Sequence, residues 1–302
     1  MSQNIRRNEP LISVVLPVFN AAPYLSQALE SLASQTESSF EVLAIYDASS
    51  DCSLEILQAW NNKDPRFQII YGSGNGLVEA LNLGLNHARG EYIARMDADD
   101  LSAPDRFEKQ LLCLEMNSLD LCGCQLAMMD KHGYTYRHVS MPVTADWVAV
   151  TLACTVPFAH GSVMMKRDLL TLKSIFYTQG TIEDYALWCL LHEVGARMGN
   201  ASEELYIYRE HQSLSKVRAL ENDLATHQQR RLFVQRSLPS LKMSIQKILQ
   251  DAQKISAKEG AFLLLASYLL YKQNKDAMIL QALKRVSFVS IGIALFKLIK
   301  GF

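Results

Sequence analysis

Met96-Asp97-Ala98-Asp99-Asp100 sets three carboxylates within four residues, directly behind an apolar run. Carboxylates this close repel one another unless a cation lies between them. Oxygen ligands of this kind suit Mg²⁺ or Mn²⁺, which bind through one or two carboxylates together with substrate phosphates. On extended backbone Asp97 and Asp99 would point to the same side. The competing reading is a solvated acidic loop ahead of a helix that Pro104 opens, where Asp is common. Two more apolar runs end in polar residues, Pro17-Val18-Phe19-Asn20 and Tyr46-Asp47-Ala48-Ser49-Ser50-Asp51. Glu183-Asp184 heads a helical pattern, His160 reads as a core histidine, and His211 reads as an exposed residue after a strand. No Walker-type phosphate loop is present. Gly72-Ser73-Gly74-Asn75-Gly76 matches a dinucleotide fingerprint only loosely, because it follows the third apolar run instead of the first.

The elements that must position these groups alternate through the first hundred residues. Leu11–Phe19, Phe40–Tyr46, Arg66–Tyr71 and Glu91–Met96 are short runs rich in Val, Ile and Tyr, the composition of strands. Between them Leu25, Ala28, Leu29 and Leu32 follow Pro23 at helical spacing, a second helix runs from Ser50 or Asp51 to Trp60, and Leu77, Ala80, Leu81, Leu85 and Ala88 mark a third. Near-continuous apolar strands alternating with helices predict an α/β fold, a mostly parallel, Rossmann-like central sheet with helices on both faces. Ligands of such a sheet bind at the carboxyl ends of its strands, where the polar residues above lie. Beyond Pro104 the pattern is mixed, with strands over Leu119–Met129, Gly161–Met165 and Glu204–Tyr208 and a helix over Asp184–Val194. From Val217 onward it is only helical, with a break at Pro239, which predicts an all-α C-terminal region. The boundary is set near Lys216, giving domains 1–216 and 217–302.

The chain of 302 residues is 49% apolar and 20% charged, enough for one large domain or a domain with an appendage. Its net charge of -1 argues against nucleic acid as a partner. The charge is unevenly placed: 1–216 carry a balance of -10 and 217–302 a balance of +9. A basic tail points to an anionic surface, such as a membrane. Val286–Lys300 winds into an amphipathic pattern that would lie in a membrane interface or close the protein's own core. No apolar run reaches the ~18–20 residues that cross a bilayer. The six cysteines fit no common zinc spacing and read as reduced core thiols. The polar first ten residues carry no apolar signal core, so the expected location is the cytoplasm, with the inner face of the cell membrane as a contact surface.

In order and spacing, "ISVVLPVFN", "IYDASSD", "GEYIARMDADDLSAPDRF", "HGSVMMKR", "EDYALW" and "YREHQSLS" resemble glycosyltransferase family 2, the inverting enzymes of the GT-A fold, in its bacterial surface-glycan type. The resemblance covers roughly 11–215 and says nothing of the rest. It implies a nucleotide diphosphate-sugar donor, UDP-linked first and dTDP-linked next, and a glycan or lipid-linked glycan acceptor. It implies that Asp47 accepts a hydrogen bond from the base, that Pro17 and Phe19 line the nucleotide cleft, and that Asp97 reaches the sugar or ribose. Asp99 becomes the ligand of a Mn²⁺ or Mg²⁺ cofactor, His211 a group beside the metal and diphosphate, Asp184 the catalytic base and His160 an acceptor-side residue. Tyr46 stands where the family usually has a second aspartate. A catalytically inactive nucleotide-sugar-binding or scaffold protein of the same fold is the alternative, against which Asp97, Asp99 and Asp184 all remain in place.

Overall fold

The computed structural model describes residues 9–180, 182–210, 219–250, 255–274, 278–283, 285–286, 290–291 and 293–294. It divides into two compact units. The first comprises Met1–Met141, Phe158–Gln179 and Asn200–Gln212; the second comprises Pro142–Pro157, Gly180–Gly199 and Ser213–Phe302. Two segments ahead of the basic tail thus group with it. The boundary expected near Lys216 lies outside the described residues.

The first unit opens with β1 (Ile12–Val18), α1 (Ala22–Ala33), β2 (Phe40–Tyr46), α2 (Ser53–Lys63), β3 (Phe67–Tyr71), α3 (Leu77–His87) and β4 (Tyr92–Arg95). β1 pairs in parallel with β2 on one side and β4 on the other, and β2 pairs in parallel with β3. Every residue of β1 except Pro17 is buried, as is every residue of β2 except Tyr46, the burial that continuous apolar strands imply. Helices cover them through one stripe each: Leu25, Ala28, Leu29 and Leu32 on α1, Leu57 and Trp60 on α2, Val78, Ala80 and Leu81 on α3. The register sets Val18 opposite Tyr46, so β1 and β2 end level, and sets Arg95 opposite Val15, so β4 ends beside them three residues earlier.

Antiparallel strands extend this sheet. β5 (Leu101–Ser102), α4 (Arg106–Met116), β6 (Leu121–Asp130), β7 (Thr135–Val139), β8 (Met164–Lys166), α6 (Arg167–Thr171) and β9 (Met198–Glu210) follow, with α5 (Ala145–Leu152) and α7 (Glu183–Glu193) in the second unit. Among the described residues the strand order is β3-β2-β1-β4-β8-β6-β9-β5, with β7 on β6. β8 runs antiparallel to β4 and to β6, and β5 to β9. β5 and β7 were not expected. β5 has only two residues, and four of the five residues of β7 are exposed, so neither leaves an apolar signature. The helix expected from Pro104 starts at Arg106.

In the second unit α8 (Ala219–Arg236), α9 (Leu238–Gln250), α10 (Ala257–Asn274) and α11 (Met278–Leu283) join α5 and α7. Pro239 opens the first turn of α9, where a missing N–H costs nothing. α10 is buried at every position from Ala261 to Ser267, the mark of a helix enclosed on all sides. Around it Val148, Leu152, Trp188, Phe233, Leu241 and Ile245 form the unit's core. The expected Val286–Lys300 helix lies for the most part outside the described residues. No helix among them is long and apolar enough to cross a membrane. All six cysteines are thiols outside any disulfide; Cys122, Cys124, Cys154 and Cys189 are core thiols as expected, whereas Cys52 is exposed and Cys113 half-exposed. Cys52 sits at the N-cap of α2 and therefore at the surface.

Candidate active site

The carboxyl ends of β1, β2 and β4 open into a cleft of about 380 Å³ built wholly from the first unit. Pro17, Phe19, Asp47, Asp97 and Asp99 all line it, joined by Asn20, Tyr24, Gly74, Gly76 and Leu77. Local hydrogen bonds fix its rim. Asn20 Oδ1 accepts the Ser50 N–H at 2.8 Å, and Asp51 accepts from Ala22 N at 2.9 Å and Ser53 N at 3.0 Å. Asp51 thereby satisfies orphan donors at the starts of both α1 and α2. Burial alone would raise the Asp51 pKa; the hydrogen bonds from the Ser53 hydroxyl and from the Ala22 and Ser53 N–H groups together outweigh it, and the net direction is down.

Asp47 is buried, and its carboxylate is held by the glycine run that follows β3. Gly74 N–H donates to Oδ1 at 2.7 Å and Gly76 N–H to Oδ2 at 3.0 Å. Sequence patterning had given that run only a loose nucleotide fingerprint; its place is beside Asp47, through backbone donors that leave no side-chain signal.

The acidic segment departs from the expected geometry. β4 ends at Arg95, and Asp97–Asp100 forms a turn in which Asp100 N–H reaches Asp97 O at 3.4 Å. The two cleft-lining carboxylates owe their shared direction to this turn, not to extended backbone. Asp100 points inward and is 1% exposed. Tyr206 Oη donates to its Oδ2 at 2.8 Å and Arg209 N–H to its Oδ1 at 2.7 Å. Burial pushes its pKa well up, reinforced by Asp97 and Asp99 and opposed by these two donors. Asp97 forms an ion pair with buried Arg95. Burial raises its pKa and the Arg95 charge works against that rise. Burial would lower the Arg95 pKa, but Asp97, with Tyr206 and Tyr177 beside it, together outweighs that loss, and the net direction is up. Arg209 completes the frame, with Nε donating to Asp99 O at 2.8 Å and its guanidinium over the Tyr24 ring at 4.6 Å.

His160 does not line the cleft; its Nε2 meets Tyr177 Oη at 2.9 Å. Burial, then the Arg95 charge, pushes its pKa well below the usual value, so the ring is neutral. A Cβ on the next residue, Gly161, would collide with Tyr206 Oη and come within 2.6 Å of Asp97 Oδ2, so glycine there leaves both side chains in place. Asp184 lies in the first turn of α7, in the second unit, and accepts the Tyr185 N–H at 2.7 Å. His211 lies outside the described residues. Tyr46, in place of the second aspartate, donates to Ser49 O at 2.9 Å and packs edge-on against Tyr71.

Among the described residues no three His, Cys, Asp or Glu side chains form a ready metal cage. Asp97 and Asp99 on one wall are oxygen donors only, and Asp97 is partly neutralised by Arg95. That set fits a hard divalent ion held through one or two carboxylates, with substrate oxygens completing the shell.

A parallel sheet extended by antiparallel strands, with an acidic cleft at its carboxyl ends, defines an α/β transferase of GT-A architecture. The sequence profile described as Glycosyl transferase family 2 matches residues 13–173, and the chain belongs to that family. The O-antigen biosynthesis glycosyltransferase WbnJ of Escherichia coli is 32% identical over 216 residues, covering 70% of this chain and 84% of WbnJ. Among solved structures, S. aureus TarS in complex with UDP-GlcNAc superposes with a TM-score of 0.61 at 19% identity, covering 95% of this chain and 79% of that one. The mannosyltransferase PcManGT of Pyrobaculum calidifontis, solved with GDP-Man and Mn²⁺, gives 0.56 at 19% identity, covering 97% and 88%.

Proposed function

We propose that this glycosyltransferase moves a sugar from a nucleoside diphosphate donor, UDP-linked first and dTDP-linked next, to a hydroxyl of a surface glycan or lipid-linked glycan. The observation that supports it best is the gathering of Pro17, Phe19, Asp47, Asp97 and Asp99 in one cleft at three adjacent strand ends. Asp47 accepts N3–H of uracil or thymine, which cytosine lacks. Guanine N1–H passes the same test, so GDP-sugars are the third donor class, and PcManGT was solved with one. Phe19, 64% exposed, and Pro17 offer apolar walls to the base. Asp97 takes a ribose or sugar hydroxyl, and Asp99, with His211, holds Mn²⁺ or Mg²⁺. Such an ion, when bound, offsets the charge that builds on the departing diphosphate.

Asp184 is assigned as general base. Its carboxylate takes the acceptor hydroxyl proton as that oxygen bonds to the anomeric carbon; the bond from that carbon to the diphosphate oxygen breaks, and its electron pair leaves with the nucleotide. One displacement inverts the anomeric centre. His160 stays an acceptor-side neighbour, with its Nε2 already committed to Tyr177. The basic segment 217–302 is assigned to bring the chain to an anionic membrane surface in the cytoplasm, where a lipid-linked acceptor is presented.

Calorimetric titration with UDP-, dTDP- and GDP-sugars in Mn²⁺, joined to an assay of nucleotide release, tests the proposal. Micromolar to millimolar binding of one donor class is expected, with turnover lost on chelation. Absence of binding by all three would overturn the donor assignment, and full turnover after chelation would remove the metal.

A further inference from the structure

We infer that the loop Gly72-Ser73-Gly74-Asn75-Gly76 is a positioning device for base selection. It clamps the Asp47 carboxylate so that the free lone pairs face an imide N–H of the nucleotide. The inference rests on the nucleotide-sugar reading of the cleft and adds to it the part that sets specificity.

Each glycine of the run has a separate job. Gly74 and Gly76 adopt φ of +79° and +93°, a conformation that side-chain-bearing residues rarely hold. It turns two backbone N–H groups, two residues apart, toward one anion, one to each carboxylate oxygen. Gly72 has no such backbone demand. It is glycine because a Cβ there would sit 2.7 Å from Asp47 Oδ1. The loop is tied to itself by Asn75 Nδ2 on Ser73 Oγ at 2.9 Å, and Ser73 Oγ bonds Glu79 at the start of α3.

An ionised carboxylate offers about four lone-pair sites. The loop fills one on each oxygen, which fixes the rotamer and the plane of the group. Since Asp47 lines the cleft, the remaining sites are open to a ligand there. An acceptor held this way loses no further freedom when a base N–H arrives, which is where preorganised sites gain affinity. Against a base with an acceptor at the same position, the fixed lone pairs repel and cannot swing away. Discrimination therefore depends on the clamp as well as on the charge.

Gly72→Ala tests this with the full-length protein, because it disturbs the carboxylate without changing its charge. Calorimetry with UDP and CDP is expected to show wild-type protein preferring UDP. In Gly72→Ala, UDP affinity falls about tenfold, CDP affinity stays unchanged, and kcat at saturating donor is retained. Gly133→Ala, in the distant β6–β7 turn at φ +92°, serves as the control and keeps wild-type preference. Should Gly72→Ala not fold, hydrogen exchange in wild-type protein at matched occupancy carries the test: the Gly74 and Gly76 amides slow with UDP and not with CDP. Equal wild-type affinity for UDP and CDP would overturn the base-reading role of Asp47 itself. A UDP preference that survives Gly72→Ala in folded protein, or equal slowing by both nucleotides, would leave that role standing and overturn the clamp.

Discussion

Asp100 carries the same charge as its neighbours in the acidic turn but has a different task. Tyr206 Oη gives one proton to Asp100 and accepts the Asp97 N–H at 3.2 Å, so a single buried hydroxyl links the inward carboxylate to the backbone of the cleft-lining one. Tyr206→Phe leaves both groups without that partner and is expected to cost about 1–3 kcal/mol of stability, read by urea denaturation. Donor KM should rise with it, since the turn that aims Asp97 and Asp99 loosens. Asp99→Ala is expected to remove metal-dependent turnover, read as nucleotide release with and without Mn²⁺, because Asp99 lines the cleft. Asp184→Asn should lower kcat by ~10²–10⁴ while UDP-sugar binding persists, the signature of a lost base. If calorimetric binding disappears together with turnover, Asp184 supports the fold instead. At this scale the cleft-lining Asp47, Asp97 and Asp99 were legible because carboxylates behind apolar runs are conspicuous. Asp100 and the glycine donors were not. Burial of one carboxylate out of three, and bonds made by backbone N–H groups, have no counterpart in side-chain type.

The parallel half of the sheet depends on a clasp at the end opposite the cleft. Glu41 in β2 accepts Ser13 Oγ of β1 at 2.7 Å, Arg89 N–H at 3.1 Å and Arg89 Nε at 3.0 Å, joining two strands to the chain that enters β4. Gly90 N–H adds a bond to Ser13 Oγ at 2.8 Å. Burial alone would raise the Glu41 pKa; the Arg89 and Ser13 bonds outweigh it and the net direction is down. Because the folded pKa lies below the unfolded one, the clasp contributes fully above the unfolded carboxylate range and is lost as pH falls through the folded value. Glu41→Gln is expected to lower stability at pH 7 by about 2 kcal/mol, the scale of a hydrogen bond to a charged group. The difference from wild type should shrink toward zero below that folded value in denaturant titrations across pH. A constant difference at every pH would assign the loss to packing instead. β1 to β4 and α1 to α3 were readable from sequence because each buries a face that repeats with period or continuity. The antiparallel additions were harder: β7 is exposed, β5 is two residues long, and α5, with Val148, Val150 and Thr151 among its buried residues, forms a helix from β-branched types that propensity disfavours. Their structure is imposed by what they pack against, which local patterning does not contain.

Over the whole chain the most unusual feature is the separation of charge, -10 in 1–216 against +9 in 217–302. The described helices of the basic segment spend their apolar faces on the second unit's core, through Phe233, Leu241, Ile245 and the enclosed α10. Membrane contact through these helices would therefore draw chiefly on charge, with Arg231, Arg236, Lys242, Lys247 and Lys258 at the surface. Each cation near an anionic leaflet contributes about 1 kcal/mol, and salt screens that attraction within a Debye length of about 10 Å at 0.1 M. Full-length protein should sediment with phosphatidylserine-containing vesicles at low ionic strength, stay in the supernatant with neutral phosphatidylcholine vesicles, and release from the anionic ones at about 0.5 M salt. Reversing two exposed charges, Lys242→Glu with Lys247→Glu, should cut the bound fraction several-fold with nucleotide-sugar turnover on a soluble acceptor unchanged, since both residues lie far along the sequence from the cleft-lining ones. Binding that resists salt would mean apolar insertion, which places the contact in Val286–Lys300 instead of on these lysines. Equal recovery in the supernatant with all vesicles would limit the tail to closing the second unit's core, and the acceptor would then have to reach the cleft without a shared membrane surface.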